Sequence, residues 1–190
     1  MHSLELREVK KSYPGGIEAL RGISLAVDAG EIFGLLGPNG AGKTTAVRIL
    51  TTLSRATAGT AYVAGFEVHD QPEEVRRQIG YVAQTTALDL LATGRENLLF
   101  HGRLFGLGGS RLRSRAEELI ETFQLAEVAD RRVQTYSGGM KRRLDLATGL
   151  LHLPQVLFLD EPTSGLDPEN RYLLWELVSS LASQRVSQKS

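Results

Sequence analysis

The stretch that most narrows what this chain can become is EIFGLLGPNGAGKT, residues 31–44. An apolar run leads into Gly37-Pro38-Asn39-Gly40-Ala41-Gly42-Lys43-Thr44, which fits the pattern G-x-x-x-x-G-K-[ST]. From Lys43 to Leu53, Val47, Leu50 and Leu53 then recur at helical spacing. A strand, a glycine turn and a helix in that order build a cradle for phosphate. The glycines let successive backbone N–H groups turn inward around anionic oxygens. The start of the helix adds the positive end of its dipole. In such a cradle Lys43 reaches the β- and γ-phosphates, Thr44 offers its hydroxyl to Mg²⁺, and Thr45 bonds on the α-phosphate side. The run Glu31 to Gly37 is expected to be a fully buried strand.

A second segment supplies the chemistry that the first lacks. Val156-Leu157-Phe158-Leu159 is followed by Asp160 and Glu161. A buried strand that ends in two carboxylates delivers them at its C-terminal end, where α/β sheets bind ligands. Asp160 is suited to hold Mg²⁺ and Glu161 to orient or deprotonate an attacking water.

Composition removes other classes. The 190 residues hold 22 Lys+Arg against 22 Asp+Glu, so no basic excess argues for a nucleic-acid partner. The Lys141-Arg142-Arg143 run reads as a solvated helix face. There is no cysteine, which excludes a disulfide scaffold, a thiol nucleophile and a Cys-ligated metal. The most apolar stretch, 146–159, is broken by Gly149, His152 and Pro154 and is too short for a spanning helix.

Strands are expected over Ser3–Val9, around Ile23–Val27, at Tyr62–Ala64 and over Ile79–Ala83, with Pro72 starting a brief helix. From Thr93 to about Leu151 the pattern is helical, with Ser110 as an N-cap. A last helix is expected over Glu169 to about Ala182. The expected architecture is α/β: a core of 1–92 and 153–190 carrying a helical subdomain over about 93–152.

Tyr136-Ser137-Gly138-Gly139-Met140 stands before a helix expected to begin near Lys141, about 20 residues ahead of the Asp-Glu strand. Ser-Gly-Gly at a helix start is a second anion site. In this order the motifs resemble those of ATP-binding cassette (ABC) ATPases, a P-loop NTPase family. That resemblance implies an ABC-type core with N-terminal antiparallel strands and a helical signature subdomain. It implies ATP and Mg²⁺ as cofactors, and a head-to-tail dimer in which Ser137, Gly138 and Gly139 bind the γ-phosphate on a partner subunit. It further implies that Tyr13 stacks on adenine. Gln84, after Gly80-Tyr81-Val82-Ala83, would contact Mg²⁺ and the attacking water and link the site to a separate transmembrane subunit. Ser164-Gly165-Leu166-Asp167 matches the loop that meets the facing chain. The phrasing YSGGMKRRLDLA and LATGRENL is similar to the daunorubicin/doxorubicin-resistance branch of drug exporters, which implies a subunit at the inner face of the cell membrane.

One departure is plain. The family continues after the last helix with a buried strand ending in a switch histidine, whereas residues 182–190 are polar and none of His2, His69, His101 and His152 holds that position. The expectation is a core lacking its last strand. Such a chain binds ATP and either powers export or, as the alternative, binds without efficient hydrolysis.

Overall fold

The computed structural model describes residues 2–187, and side chains up to residue 182. Contacts divide it into two compact units. One runs to Ile79 and is joined by residues from Ser179 on; the other is Gly80–Val178.

The first unit is built on a four-stranded antiparallel sheet, ordered β2-β1-β3-β4. Its strands are β1 (His2–Tyr13), β2 (Ile17–Asp28), β3 (Ala58–Val63) and β4 (Phe66–Glu67). Leu4, Leu6, Val9, Leu20, Ala61 and Val63 form its buried face. Strict alternation from Leu4 and Leu6 would point Glu8 inward and Val9 outward. The chain avoids this with a bulge. The register shifts between Leu6 and Val9 against β2 and between Arg7 and Lys10 against β3. Glu8 takes a left-handed φ of 48° and its amide donates to the Ser24 hydroxyl at 2.9 Å. Opposite the bulge stands Gly59 (φ +81°), where a β-carbon would collide with the Glu8 carbonyl. Two short helices complete the unit: α1 (Lys43–Leu50), which buries Ala46, Ile49 and Leu50, and α2 (Pro72–Gln78), with proline at its start as expected.

The apolar run 31–37 departs from expectation. It is neither strand nor buried: Ile32, Phe33 and Leu36 are 51%, 48% and 94% exposed. A buried strand needs hydrogen-bonded neighbours on both edges and cover on both faces. Neither of the two described sheets includes this segment.

The second unit pairs β5 (Ile79–Val82) with β6 (Val156–Leu159) and is otherwise helical. Its helices are α3 (Gly94–Leu104), α4 (Gly109–Thr122), α5 (Gly138–Leu150) and α6 (Pro168–Ser187), the last extending past Val178. Thr93 and Glu96 close a capping box at the start of α3. Leu98, Leu112, Ala116, Leu119, Ile120, Phe123, Leu144 and Leu146 pack the interior of this unit. Three boundaries differ from the sequence reading. Ser110 lies inside α4, because the Leu112 amide closes the first turn on the Gly108 carbonyl. The signature helix begins at Gly138, three residues before Lys141, because Ser137 caps it. The polar stretch after Ala182 continues α6 to Ser187; residues 188–190 lie outside the described residues.

Gly59→Ala is expected to destabilise the chain by about 1–3 kcal/mol, since the added methyl must displace backbone in a packed sheet. A shift of the urea midpoint at constant slope measures it; an unchanged midpoint removes the bulge's dependence on this glycine.

Candidate nucleotide site

In the first unit the phosphate loop is shaped by its glycines. Gly40 (φ 82°) and Gly42 (φ 85°) both take left-handed conformations. Gly42 also has no room for a side chain: a β-carbon there would lie 2.5 Å from the Ala19 carbonyl of β2. This close approach sets where α1 begins, directly at Lys43. Residues 37–40 are exposed. The Ala41 amide donates to the Pro38 carbonyl at 3.2 Å. Lys43 Nζ folds back and donates to the carbonyls of Gly37 at 2.6 Å and Pro38 at 2.8 Å. These are neutral acceptors. A phosphate oxygen, being charged, competes for the same ammonium with the stronger bond. Thr44 is exposed and Thr45 half-buried in the first turn of α1. Tyr13 ends β1 opposite Ile17, half-buried, with Lys11 Nζ 5.0 Å from its ring centre.

In the second unit β5 and β6 deliver the polar residues expected of them. The Asp160 amide donates to the Val82 carbonyl at 3.0 Å, which brings the two strand ends together. Gln84 Nε2 donates to Glu161 Oε2 at 3.0 Å. The Tyr81 hydroxyl lies 3.5 Å from Asp160 Oδ2. Glu161 is exposed and holds a left-handed φ of 46°, a conformation that costs roughly 1–2 kcal/mol without glycine. Strain of this kind concentrates at functional loops.

The signature loop occupies the start of α5. Ser137 Oγ accepts from the Met140 amide at 3.2 Å. Gly138 is open to solvent, whereas Gly139 is buried against the side chain of Asn170. Asn170 is held in turn by Asp167, which accepts from its side-chain amide at 2.6 Å and from its backbone at 3.2 Å. These bonds hold the Asp167 carboxyl below its ordinary value, the side-chain bond from Asn170 first among them.

The basic run at 141–143 is not a solvated face. Arg142 is 8% exposed and bonds the carbonyls of Ala83, Asp160 and Pro162. Arg143 is half-buried and bonds the carbonyl of Phe123 at 3.3 Å. Arg142 stands three residues after Gly139 and four before Leu146, on one helical stripe with two buried positions. The acceptors that draw it inside come from loops some 20 and 59 residues away. Asp145, one turn on, is also buried and accepts from the Thr86 hydroxyl at 2.8 Å. Burial pushes the Asp145 carboxyl up and the Arg142 guanidinium down.

The model of the ABC transporter family matches residues 20–164. The chain belongs to that family. Among curated relatives of this cassette, the daunorubicin resistance ATP-binding protein DrrA2 of Streptomyces coeruleorubidus is 54% identical over 96% of this chain and 56% of its own length. The doxorubicin resistance ATP-binding protein DrrA of Mycobacterium tuberculosis is 54% identical over 90% of this chain and 52% of its own. The Nod factor export ATP-binding protein I of Paraburkholderia xenovorans is 46% identical over 96% and 60%. The chain thus spans about half the length of the curated relatives it matches. Among solved structures, CbiO1 of Clostridium perfringens, part of an ABC transporter complex, superposes with a TM-score of 0.88 at 26% identity, over 97% of this chain and 75% of that one. A dimeric cassette in a post-hydrolysis state, bound to ADP and Pi, gives 0.82 at 29% identity over 95% and 83%. The P-loop NTPase fold of ABC type expected from the motifs is therefore the fold of this chain. Among the described residues no helix is long and apolar enough to cross a membrane.

Gly139→Ala is expected to cost about 1–3 kcal/mol, because the methyl meets the Asn170 side chain. In an Asn170→Ala background the same substitution is expected to cost less. Equal costs in both backgrounds, read from chemical unfolding, would remove Asn170 as the reason for a glycine at 139.

Proposed function

We propose that this chain is the ATP-binding subunit of an ABC exporter, and that ATP binding and hydrolysis by it drive drugs or other hydrophobic compounds out through a separate membrane subunit. The observation that carries this reading is the loop Gly37–Thr44, whose lysine is aimed into the loop's own carbonyls at the start of a helix. Residues 1–92 and 153–190 form the nucleotide-binding core in this reading, and about 93–152 the helical subdomain.

Within it the residues divide the work. The loop Gly37-Pro38-Asn39-Gly40-Ala41-Gly42 surrounds phosphate oxygens with backbone amides, and Lys43 neutralises the β- and γ-phosphates. Thr45 bonds the α-phosphate and Tyr13 stacks on adenine. Thr44 of the first unit and Asp160 and Gln84 of the second would offer Mg²⁺ the hard oxygen donors it takes. Among the described residues no cluster of three or more His, Asp or Glu side chains forms a cage for a metal. Mg²⁺ held by Thr44 and Asp160 together with the nucleotide would neutralise developing charge on the phosphates. Glu161 accepts the proton of the attacking water, and Gln84, hydrogen-bonded to it, orients that water. Ser137, Gly138 and Gly139 bind the γ-phosphate of a second cassette's nucleotide, so the chain works as a head-to-tail dimer at the inner face of the cell membrane. The names of its relatives support the export of drug-like compounds.

A second reading has one observation in its favour. The segment that feeds the phosphate loop, 31–37, has no sheet partner among the described residues and lies exposed. A loop hung on an unsupported segment is less preorganised, and preorganised electrostatics is where most catalysis of phosphoryl transfer lies. In that case the chain binds ATP but turns it over slowly.

Nucleotide binding and turnover measured on the same purified chain separate the two. Glu161→Gln is expected to keep ATP affinity within about twofold while cutting turnover by about 10²-fold or more. Equal turnover in both proteins would contradict the role given to Glu161.

A further inference from the structure

Arg142 is the one arginine of the basic run that is fully inside the second unit, and its three partners are not scattered. Nη1 donates to the Ala83 carbonyl at 2.7 Å, Nε to the Pro162 carbonyl at 2.8 Å, and Nη2 to the Asp160 carbonyl at 3.2 Å. Ala83 precedes Gln84. Asp160 and Pro162 flank Glu161. The planar fork of one guanidinium therefore grips the backbone just before Gln84 and on both sides of Glu161, the two residues whose side chains meet at 3.0 Å. Asp145 completes the arrangement from the next turn of α5. Its Oδ1 accepts from the Thr86 hydroxyl at 2.8 Å, two residues past Gln84, and its Oδ2 lies 3.9 Å from Arg142 Nη1. Thr86 Oγ1 in turn accepts from the Leu88 amide at 3.1 Å.

Packing does not require this. Burying an arginine costs several kcal/mol unless carbonyls and a counter-charge compensate it, and the neighbouring helical positions Leu144 and Leu146 are filled by apolar side chains. The left-handed backbone at Glu161 needs something to hold it, and the only buried cation bonded to both flanking carbonyls among the described contacts is Arg142.

We propose that Arg142, oriented by Asp145, is a positioning residue that holds Gln84 and Glu161 in register and ties that register to the signature helix. It touches neither nucleotide nor water; it acts through the two loops. Because Ser137 caps the same rigid helix only five residues earlier, about 7.5 Å along the axis, an anion seated at Ser137–Gly139 and the Gln84–Glu161 pair share one mechanical element. The inference rests on the hydrolysis reading for its functional consequence, but not for its structural one.

The test uses the 190-residue chain with Arg142→Met, Arg142→Lys and Asp145→Asn. Amide hydrogen exchange is followed in segments 81–88 and 158–165, with the α4 segment around Leu119 as reference. Arg142→Met is expected to speed exchange in both loop segments by about tenfold or more while α4 stays protected. Arg142→Lys is expected not to restore protection, since an ammonium cannot bridge three carbonyls. Turnover is expected to fall by about tenfold or more with ATP affinity within about twofold. In a Gln84→Ala background, adding Arg142→Met is expected to cost less than about twofold further, because both act through one contact. If Arg142→Met fails to fold, Asp145→Asn and Thr86→Val carry the same exchange test. Unchanged loop exchange, full rescue by lysine, or a loss that multiplies undiminished onto Gln84→Ala would overturn the proposal. Absence of turnover in the unsubstituted chain would count against the hydrolysis reading alone, and the exchange result would still decide this one.

Discussion

A loop that receives a polyphosphate must leave a row of backbone N–H groups unpaired and exposed, and the proposed nucleotide loop is built to meet that demand. Unpaired donors are tolerated only where water or a ligand can reach them. Residues 37–40 are accordingly exposed. The turn can be made only with left-handed residues, and Gly42 must in addition pass within contact of the Ala19 carbonyl on β2. Once that approach is made, α1 starts at Lys43 and its amide dipoles point along the loop. Lys43 Nζ donates to the Gly37 and Pro38 carbonyls at the mouth of that helix.

The second unit solves a different problem by a related device. There the groups proposed to act on water are side chains at strand ends, and strand ends are loosely held. The structure fixes them from behind with the signature helix. Arg142 takes the backbone on both sides of the Gln84–Glu161 contact, Asp145 takes Thr86, and Gly139 lets Asn170 of α6 press against the helix start. One helix thus carries an exposed serine–glycine cap at its end and an internal clamp on the acidic loop. A displacement of that helix cannot leave the Gln84–Glu161 geometry untouched.

The parts of this that were legible in the sequence are those set by local chemistry. The phosphate loop, the Asp-Glu strand end, the proline-led α2 and the helical middle all follow from spacing and turn residues. Val9 joins the face of Leu4 and Leu6 only through the bulge at Glu8, against strict alternation, and that bulge depends on Gly59, some 50 residues on. What was not legible depends on distant partners. Lys141-Arg142-Arg143 looks like a solvated face until the carbonyls of Ala83, Asp160 and Pro162 are in place. Glu31–Gly37 has the composition of a buried strand, but composition does not supply the neighbouring strands it would need. The early start of α5 follows from Ser137, whose side chain is that of an N-cap and caps the helix here.

Calorimetric titration of Mg-ATP into the chain beside its Lys43→Ala variant decides whether the Gly37–Thr44 loop is the nucleotide site. Saturable binding is expected to the first and none detectable in the second, with both proteins equally folded by circular dichroism. Equal affinity in a folded Lys43→Ala variant would contradict it.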